Sequence, residues 1–149
     1  MWKEPFEATI KSIKIFKDKD ERIACKLLLE SDWSNQFAYG IPKGHEVDKS
    51  IKSGEFKKVH VSPPDSEYNI EFNASYDDER FTIEGATISE IVINENGNID
   101  SEIYALLKIS VLFVIYSRDS LIGLISKISD TVEVQFKDRQ LELSGVQTK

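Results

Sequence analysis

Apolar and polar residues alternate along the first thirty residues of the chain, with one polar interruption. Isoleucines precede the interruption at residues 17–21, and leucines follow it. This partial alternation predicts a β-hairpin over residues 6–30. An amphipathic helix over residues 10–16 is the alternative, but β-branched residues favour the strand.

A second series of alternating residues follows Pro63-Pro64 and continues to residue 93. The segments 68–76 and 79–93 alternate as half-buried antiparallel strands do. Asn96-Gly97 comes shortly after them, and this dipeptide favours two-residue turns whose central residues need φ > 0. The pattern therefore predicts a hairpin that turns at Asn96-Gly97.

The densest apolar content lies towards the C-terminal end. Residues 109–116 are apolar on both faces, as in a buried central strand, and apolar residues then recur at helical spacing over about 119–128. Two alternating strands follow, with Leu141 and Leu143 in the second. A further short helix at 101–107 is an alternative for the segment before the buried strand. The predicted fold class is α+β, mainly antiparallel β-sheet with one or two short helices.

The chain of 149 residues is long enough for one domain with its own hydrophobic core. Pro63-Pro64-Asp65 is its strongest stop signal and the best position for an internal boundary. We expect a single β-rich domain over residues 1–149, with 1–62 and 66–149 as sub-halves if the prolines separate them.

The C-terminal strand and helix carry a recognisable series of residues. The series comprises Ile115-Tyr116 at the strand end, Leu121-Ile122-Gly123-Leu124-Ile125-Ser126 in the helix, Ile128 and Asp130 after it, and Val132-Glu133-Val134 in the next strand. Within residues 109–145 this arrangement resembles a half-domain of the DNA sliding clamps, the phage-type processivity clamps in particular. In that family an apolar strand precedes a short helix, and antiparallel strands follow.

The resemblance implies a non-catalytic protein of DNA replication or a phage-associated accessory protein. Clamp rings contain six domains, so a one-domain chain of this kind would form a closed homo-oligomer. Two features depart from the family: the N-terminal half has no matching helix, and the C-terminal helix offers only Arg118 and Lys127 as basic residues, flanked by Asp119 and Asp130. A chain with this fold therefore need not encircle DNA.

The formal net charge of −7 limits how nucleic acid could bind. Because affinity for phosphate needs positive charge facing it, we do not expect binding along the whole surface. A local basic face stays open, with Lys11, Lys14, Lys17 and Lys127 as its candidates. Strand alternation puts Lys11 and Lys17 on one side and Lys14 on the other, so the three share a face only if a turn or bulge intervenes.

Three aromatic residues, Trp33, Phe37 and Tyr39, cluster in a segment that glycine and proline interrupt. One interpretation is a flap that covers one end of the core, since aromatic side chains dominate core energetics. The other is an exposed platform that stacks a base or a sugar, on a barrel of the oligonucleotide-binding type.

The sequence carries no motif for catalysis or metal binding. Cys25 lies in a strand-like segment, where a buried inert thiol is expected, and the spacing of His45 and His60 fits no zinc motif. No phosphate-binding glycine loop and no nucleophile motif occurs. We therefore predict a chain that is not an enzyme and has no cofactor and no metal.

Three functions follow in order of preference. The first is a non-catalytic binding module, sliding-clamp-like or otherwise associated with replication. The second is an acidic protein-interaction or inhibitor protein, and the third binds single-stranded nucleic acid or oligosaccharide. The expected partners are a protein, DNA at a local basic face, and further copies of the chain. A cytoplasmic location without membrane association is expected, because the N-terminal residues lack the features of a secretory signal and no apolar run could span a bilayer.

Overall fold

The computed structural model of the chain describes residues 4–33, 37, 43–53, 58–73, 80–99, 102–115 and 118–139. These residues form seven strands and two helices. In chain order they are β1 (Phe6–Lys17), β2 (Ile23–Asp32), α1 (Gly44–Ser53), β3 (Lys58–Val61), β4 (Glu67–Asn73), β5 (Arg80–Ile99), β6 (Glu102–Val114), α2 (Arg118–Ile125) and β7 (Thr131–Asp138).

Six strands close into an antiparallel barrel. Their order is β5-β4-β7-β1-β2-β6, and the pairing of β6 with β5 completes the ring. Strand β3 pairs with β5 beside β4. The predicted α+β fold class, mainly antiparallel sheet with short helices, is confirmed, and so is the β1–β2 hairpin within residues 6–30.

The long strand β5 bends around the barrel through three irregularities. Its pairing shifts register near Gly85, at Ser89 and at Asn96-Gly97. Each extra residue bends a strand and increases its twist. The buried positions change parity accordingly, from Ile83 to Ala86 and from Ile88 to Ile91, which is why the sequence alternates imperfectly here.

Two predictions for this region are wrong in detail. The β5–β6 hairpin is present, but Asn96-Gly97 lies at a register shift within β5 rather than at its turn. The alternative helix at 101–107 is not formed, because residues 102–107 lie in β6. Pairing of β6 with both β5 and β2, which buries Ala105 and Leu107 in the barrel, outweighs their intrinsic helix propensity.

Alternate residues of every barrel strand fill the interior, as the strand period requires. The largest fully buried side chains of the strands are all aliphatic except for one phenylalanine. They are Ile10, Leu27, Leu29, Ile70, Phe72, Ile91, Ile93, Leu107, Ile109 and Val111.

The helices lie at opposite ends of this core. At one end, α1 contributes Val47 and Ile51 to the core beside Phe37. At the other end, α2 follows the end of β6 and buries Leu124, which is 1% exposed. The helix predicted at about 119–128 is confirmed as residues 118–125, and residues 126–129 form a turn.

Pro63-Pro64 lies between β3 and β4, which pair with successive parts of one edge of β5. The strands on either side of the prolines therefore belong to one sheet. The division of the chain into sub-halves at this point stays a prediction.

Candidate anion-binding site

A shallow groove of about 410 Å³ crosses the outer surface of the barrel. Residues from five strands line it, in the order β1, β2, β6, β5 and β3 across the sheet. Four of the lining residues are lysines, and the lining is Ser12, Lys14, Lys26, Leu28, Lys58, Glu90, Val92, Asn94, Lys108 and Ser110. We call this surface the basic groove.

The strand register explains why the four lysines share one surface. Lys14 on β1 lies directly opposite Lys26 on β2. Lys108 on β6 lies opposite Val92 of β5, and Lys58 on β3 lies opposite Asn94 two residues further along β5. Side chains opposite each other in adjacent strands point to the same face of the sheet. The register therefore aims all four ammonium groups outwards.

A bulge in β1 is responsible for the position of Lys14. The pairing of β1 with β2 shifts register between Ile10 and Ser12, so Lys11 is the extra residue. Even-numbered residues face the core before this bulge, as Ala8 and Ile10 do. After the bulge the parity changes, so that Lys14 faces outwards beside Lys26.

The four lysines form no ion pairs within 4.0 Å in the described structure. Glu30 nevertheless lies directly opposite Lys108 across β2 and β6, and it approaches Lys11 at 4.0 Å. Glu90 is the single carboxylate among the described residues of the groove lining. The local charge is therefore positive, although the whole chain is acidic.

The floor of the basic groove is apolar in part. Val92 is 6% exposed and Ser110 is 8% exposed although both point outwards, which shows that longer side chains cover them. Lys26 and Lys108 are half-buried, as expected when aliphatic stems lie along apolar surface while the ammonium groups stay in water. Asn94 also lies here, and its Oδ1 has no hydrogen-bond partner in the described structure.

The four lysines predicted to form a basic face do not form one together. Lys11 and Lys14 are both exposed and Lys14 lies in the basic groove, but Lys11 approaches Glu30 at 4.0 Å. Lys17 is exposed at the end of β1 and lies outside the groove lining. Lys127, in the turn after α2, is 5% exposed.

Two of the three residues of the predicted aromatic cluster pack at the α1 end of the barrel. Phe37 is 1% exposed, and its ring lies 5.2 Å from that of Phe6 and 5.8 Å from that of Trp33. Trp33 is half-buried and packs against the core. These two positions match the flap interpretation. Tyr39 lies outside the described residues.

Asp48 and Cys25, both outside the groove, have pKa shifts with structural causes. Hydrogen bonds from Lys52 and Trp33 hold the pKa of Asp48 below its usual value. Burial raises the pKa of the Cys25 thiol. No group of three or more potential metal ligands occurs among the described residues.

Three groove lysines, Lys26, Lys58 and Lys108, were not among the residues that the sequence singled out. Their signal was nevertheless present, because Lys26 and Lys108 each interrupt an otherwise apolar strand. A lone lysine in such a strand marks a position on the outer face. What the sequence could not supply is the pairing of β2 with β6, which puts both lysines on one outer surface.

Comparison of the chain with protein-family models, with curated proteins and with solved structures gave no significant match. No helix in the described part of the chain is long and apolar enough to cross a membrane.

Proposed function

We propose that the chain is a non-catalytic binding module that holds the phosphate backbone of single-stranded nucleic acid in the basic groove. The observation that supports this proposal is the set of four lysines, from four different strands, that line one concave surface without ion-pair partners in the described structure. Placing like charges side by side costs free energy in the empty protein. An anionic ligand removes that cost.

The side chains in the groove favour contacts with phosphates over recognition of bases. Lysine ammonium groups act as point charges that bind phosphate without reading sequence. The described lining contains no aromatic residue on which a base could stack. Binding should therefore depend little on base sequence.

The size of the groove favours a single strand. Its volume of about 410 Å³ lies in the range of sites that enclose one small molecule. A nucleotide-sized part of a flexible strand can enter such a groove, whereas the bases of a duplex stay paired and stacked away from it. The net charge of −7 opposes long-range attraction, so the expected affinity is modest, with Kd near that of non-specific complexes, about 10⁻⁴–10⁻⁶ M.

Fluorescence anisotropy of a labelled oligothymidylate tests the proposal over a series of salt concentrations. Each phosphate neutralised on a single strand contributes about −0.7 to the slope of log K against log salt, so four contacts predict a slope near −2.8. The double variant Lys14→Gln/Lys26→Gln should bind at least tenfold more weakly, and its slope should fall to about half that of the unmodified chain.

Lys17→Gln is the matched control, because Lys17 lies on the same strand as Lys14 but outside the groove lining. It should leave both affinity and slope nearly unchanged. Absence of salt-dependent binding, or equal losses in the control and the double variant, would contradict the proposal.

A sliding-clamp function is the alternative that the sequence resemblance raises, and it requires a closed oligomer. Light scattering over a range of protein and salt concentrations distinguishes the two. A discrete oligomer of ring size supports the clamp. A monomer that still binds oligothymidylate supports the basic groove as the functional unit.

A further inference from the structure

A second groove, of about 240 Å³, lies between helix α1 and strand β3. Glu46, Val47 and Ser50 line it from the helix, Lys43 lines it just before the helix, and residues 59–62 line the opposite side. We call it the edge groove. No described residue lines both this groove and the basic groove.

Strand β3 is paired along one edge only in the described part of the chain. Its residues pair with β5 from Lys58 opposite Asn94 to Val61 opposite Ile91, and no other described strand pairs with it. A strand directs part of its backbone N–H and C=O groups to each edge. The second edge of β3 therefore presents donors and acceptors that another strand could use.

The side chains of β3 give an added strand two different sides. Val59 and Val61 pack against the core, where Val61 is 7% exposed and Val47 of α1 is 5% exposed. Lys58 and His60 alternate with the valines and are exposed on the outer surface. A strand beside β3 would place alternate residues near the valines and the intervening ones near Lys58 and His60.

The charges at this position favour one kind of polar residue. Lys43 and Lys58 are exposed, and neither has an ion-pair partner within 4.0 Å among the described residues. Among the residues that the structure describes, Glu46 is the single carboxylate that lines the edge groove. Opposite charges across a strand pair stabilise the pairing, whereas like charges oppose it. Aspartate and glutamate therefore suit the outward positions.

We propose that the edge groove binds an extended peptide segment of a partner protein as an additional strand beside β3. The segment alternates apolar residues, which contact Val47, Val59 and Val61, with acidic residues, which face Lys58 and His60. Backbone hydrogen bonds to the edge of β3 that no described strand pairs with supply affinity, and the alternating side chains supply specificity. Lys58 also lines the basic groove, but the proposal does not depend on nucleic-acid binding there.

Selection from a displayed library of random peptides on the unmodified full chain provides the first test. Enriched peptides should alternate apolar with acidic residues. They should lose at least tenfold in affinity on Ser50→Trp, which fills the groove from the helix side, and should be unaffected by Lys49→Trp at the next, exposed position. Thermal unfolding of both variants establishes that they fold.

Backbone methylation of an enriched peptide then distinguishes strand addition from other contacts, on the unmodified chain. N-methylation at alternate peptide residues, whose N–H groups face β3, should abolish binding. N-methylation at the intervening residues should be tolerated. The double variant Lys14→Gln/Lys26→Gln should bind the peptide as the unmodified chain does, because these lysines lie in the basic groove.

Five results would overturn the proposal. The first four are a failure to enrich any peptide, enrichment of basic peptides, binding that survives Ser50→Trp, and equal tolerance of methylation at every position. Binding that appears only after removal of residues 140–149 would also overturn it, because the occupant would then be a segment of this chain rather than of a partner.

Discussion

The indole Nε1 of Trp33 donates a hydrogen bond to Oδ1 of Asp48, and the two atoms are 3.0 Å apart. The second carboxylate oxygen of Asp48 lies 2.8 Å from Nζ of Lys52, one turn further along α1. Trp33 itself packs against Phe37 in the core. This pair of residues therefore fastens α1, one wall of the edge groove, to the end of β2.

Trp33→Phe should lower the free energy of unfolding by about 1 kcal/mol, the typical loss for one hydrogen bond. The replacement keeps an aromatic ring for contact with Phe37 but removes the donor to Asp48. Urea unfolding followed by circular dichroism measures the change. Lys49→Ala, at an exposed position of the same helix, is the control and should shift stability far less. Equal stability of Trp33→Phe and the unmodified chain would show that this hydrogen bond makes no net contribution to the free energy of unfolding.

Asp48 should also make stability depend on pH in the acid range. Its folded-state pKa lies below the unfolded value of 3.8, first because of the hydrogen bond with Lys52 and next because of Trp33. The stabilisation is therefore complete above the unfolded pKa and is lost as pH falls through the folded pKa. The difference in stability between the unmodified chain and Asp48→Asn should be constant near neutral pH and shrink below about pH 4. A difference that grows on acidification would contradict this assignment.

Phe37→Ala should lower the free energy of unfolding by about 3–5 kcal/mol, the usual cost of truncating a buried phenylalanine. The ring is 1% exposed and contacts Phe6 edge-on, so its removal leaves a cavity at the α1 end of the core. If the variant is measured where it is still folded, its affinity for oligothymidylate should not change. A stable variant that loses binding would instead make Phe37 part of a stacking platform.

The sequence pattern predicted the strands better than it predicted the connections between them. Alternation of apolar and polar residues located the β1–β2 hairpin and the strands β4 and β7, because side chains of a half-buried strand face the core at every second residue. It failed at Asn96-Gly97, where a dipeptide suited to a turn lies at a register shift instead. Helix α1 was not predicted, although Val47 and Ile51 are spaced one turn apart and Asp48 pairs with Lys52. Short helices depend on tertiary packing more than on propensity.

The basic groove could be predicted only in part for a related reason. The sequence pattern predicts Lys14 as a candidate. Strand alternation also implies that Lys14 can share a face with Lys11 only if a turn or bulge intervenes. The structure has that bulge at Lys11. The sequence gives no register between β2, β6 and β5, however. That register places Lys26, opposite Leu112, and Lys108, opposite Glu30, on one outer surface.

Two glycines provide a matched test of backbone conformation. Gly85 has φ +68°, and the guanidinium group of Arg139 occupies the space where a Cβ would lie. Gly85→Ala should therefore destabilise the chain by about 1–2 kcal/mol, the usual cost of a left-handed conformation with a side chain. Gly123 lies within α2, and a Cβ there meets nothing within 4 Å. Gly123→Ala should stabilise the chain by about 0.5–1 kcal/mol. Thermal unfolding of the two variants should give shifts of opposite sign, and shifts of the same sign would contradict the assigned backbone conformations.

Neutralising Lys14 should separate stability from binding in the basic groove. Lys14 and Lys26 face each other directly across β1 and β2, and like charges in that position oppose folding. Lys14→Gln should therefore raise the free energy of unfolding by about 0.2–1 kcal/mol at low salt, and less at high salt because ions screen the repulsion. The same change should weaken oligothymidylate binding.

A double-mutant cycle with Lys26→Gln isolates the repulsion between the two lysines. The second neutralisation should add little stability once the first has been made, because the unfavourable pair no longer exists. Additive effects would show that the ammonium groups do not interact in the free protein. A surface that serves an anionic ligand is expected to contain lysines that lower stability and raise affinity. If both neutralisations lower stability instead, these lysines contribute by packing their aliphatic stems along the barrel wall.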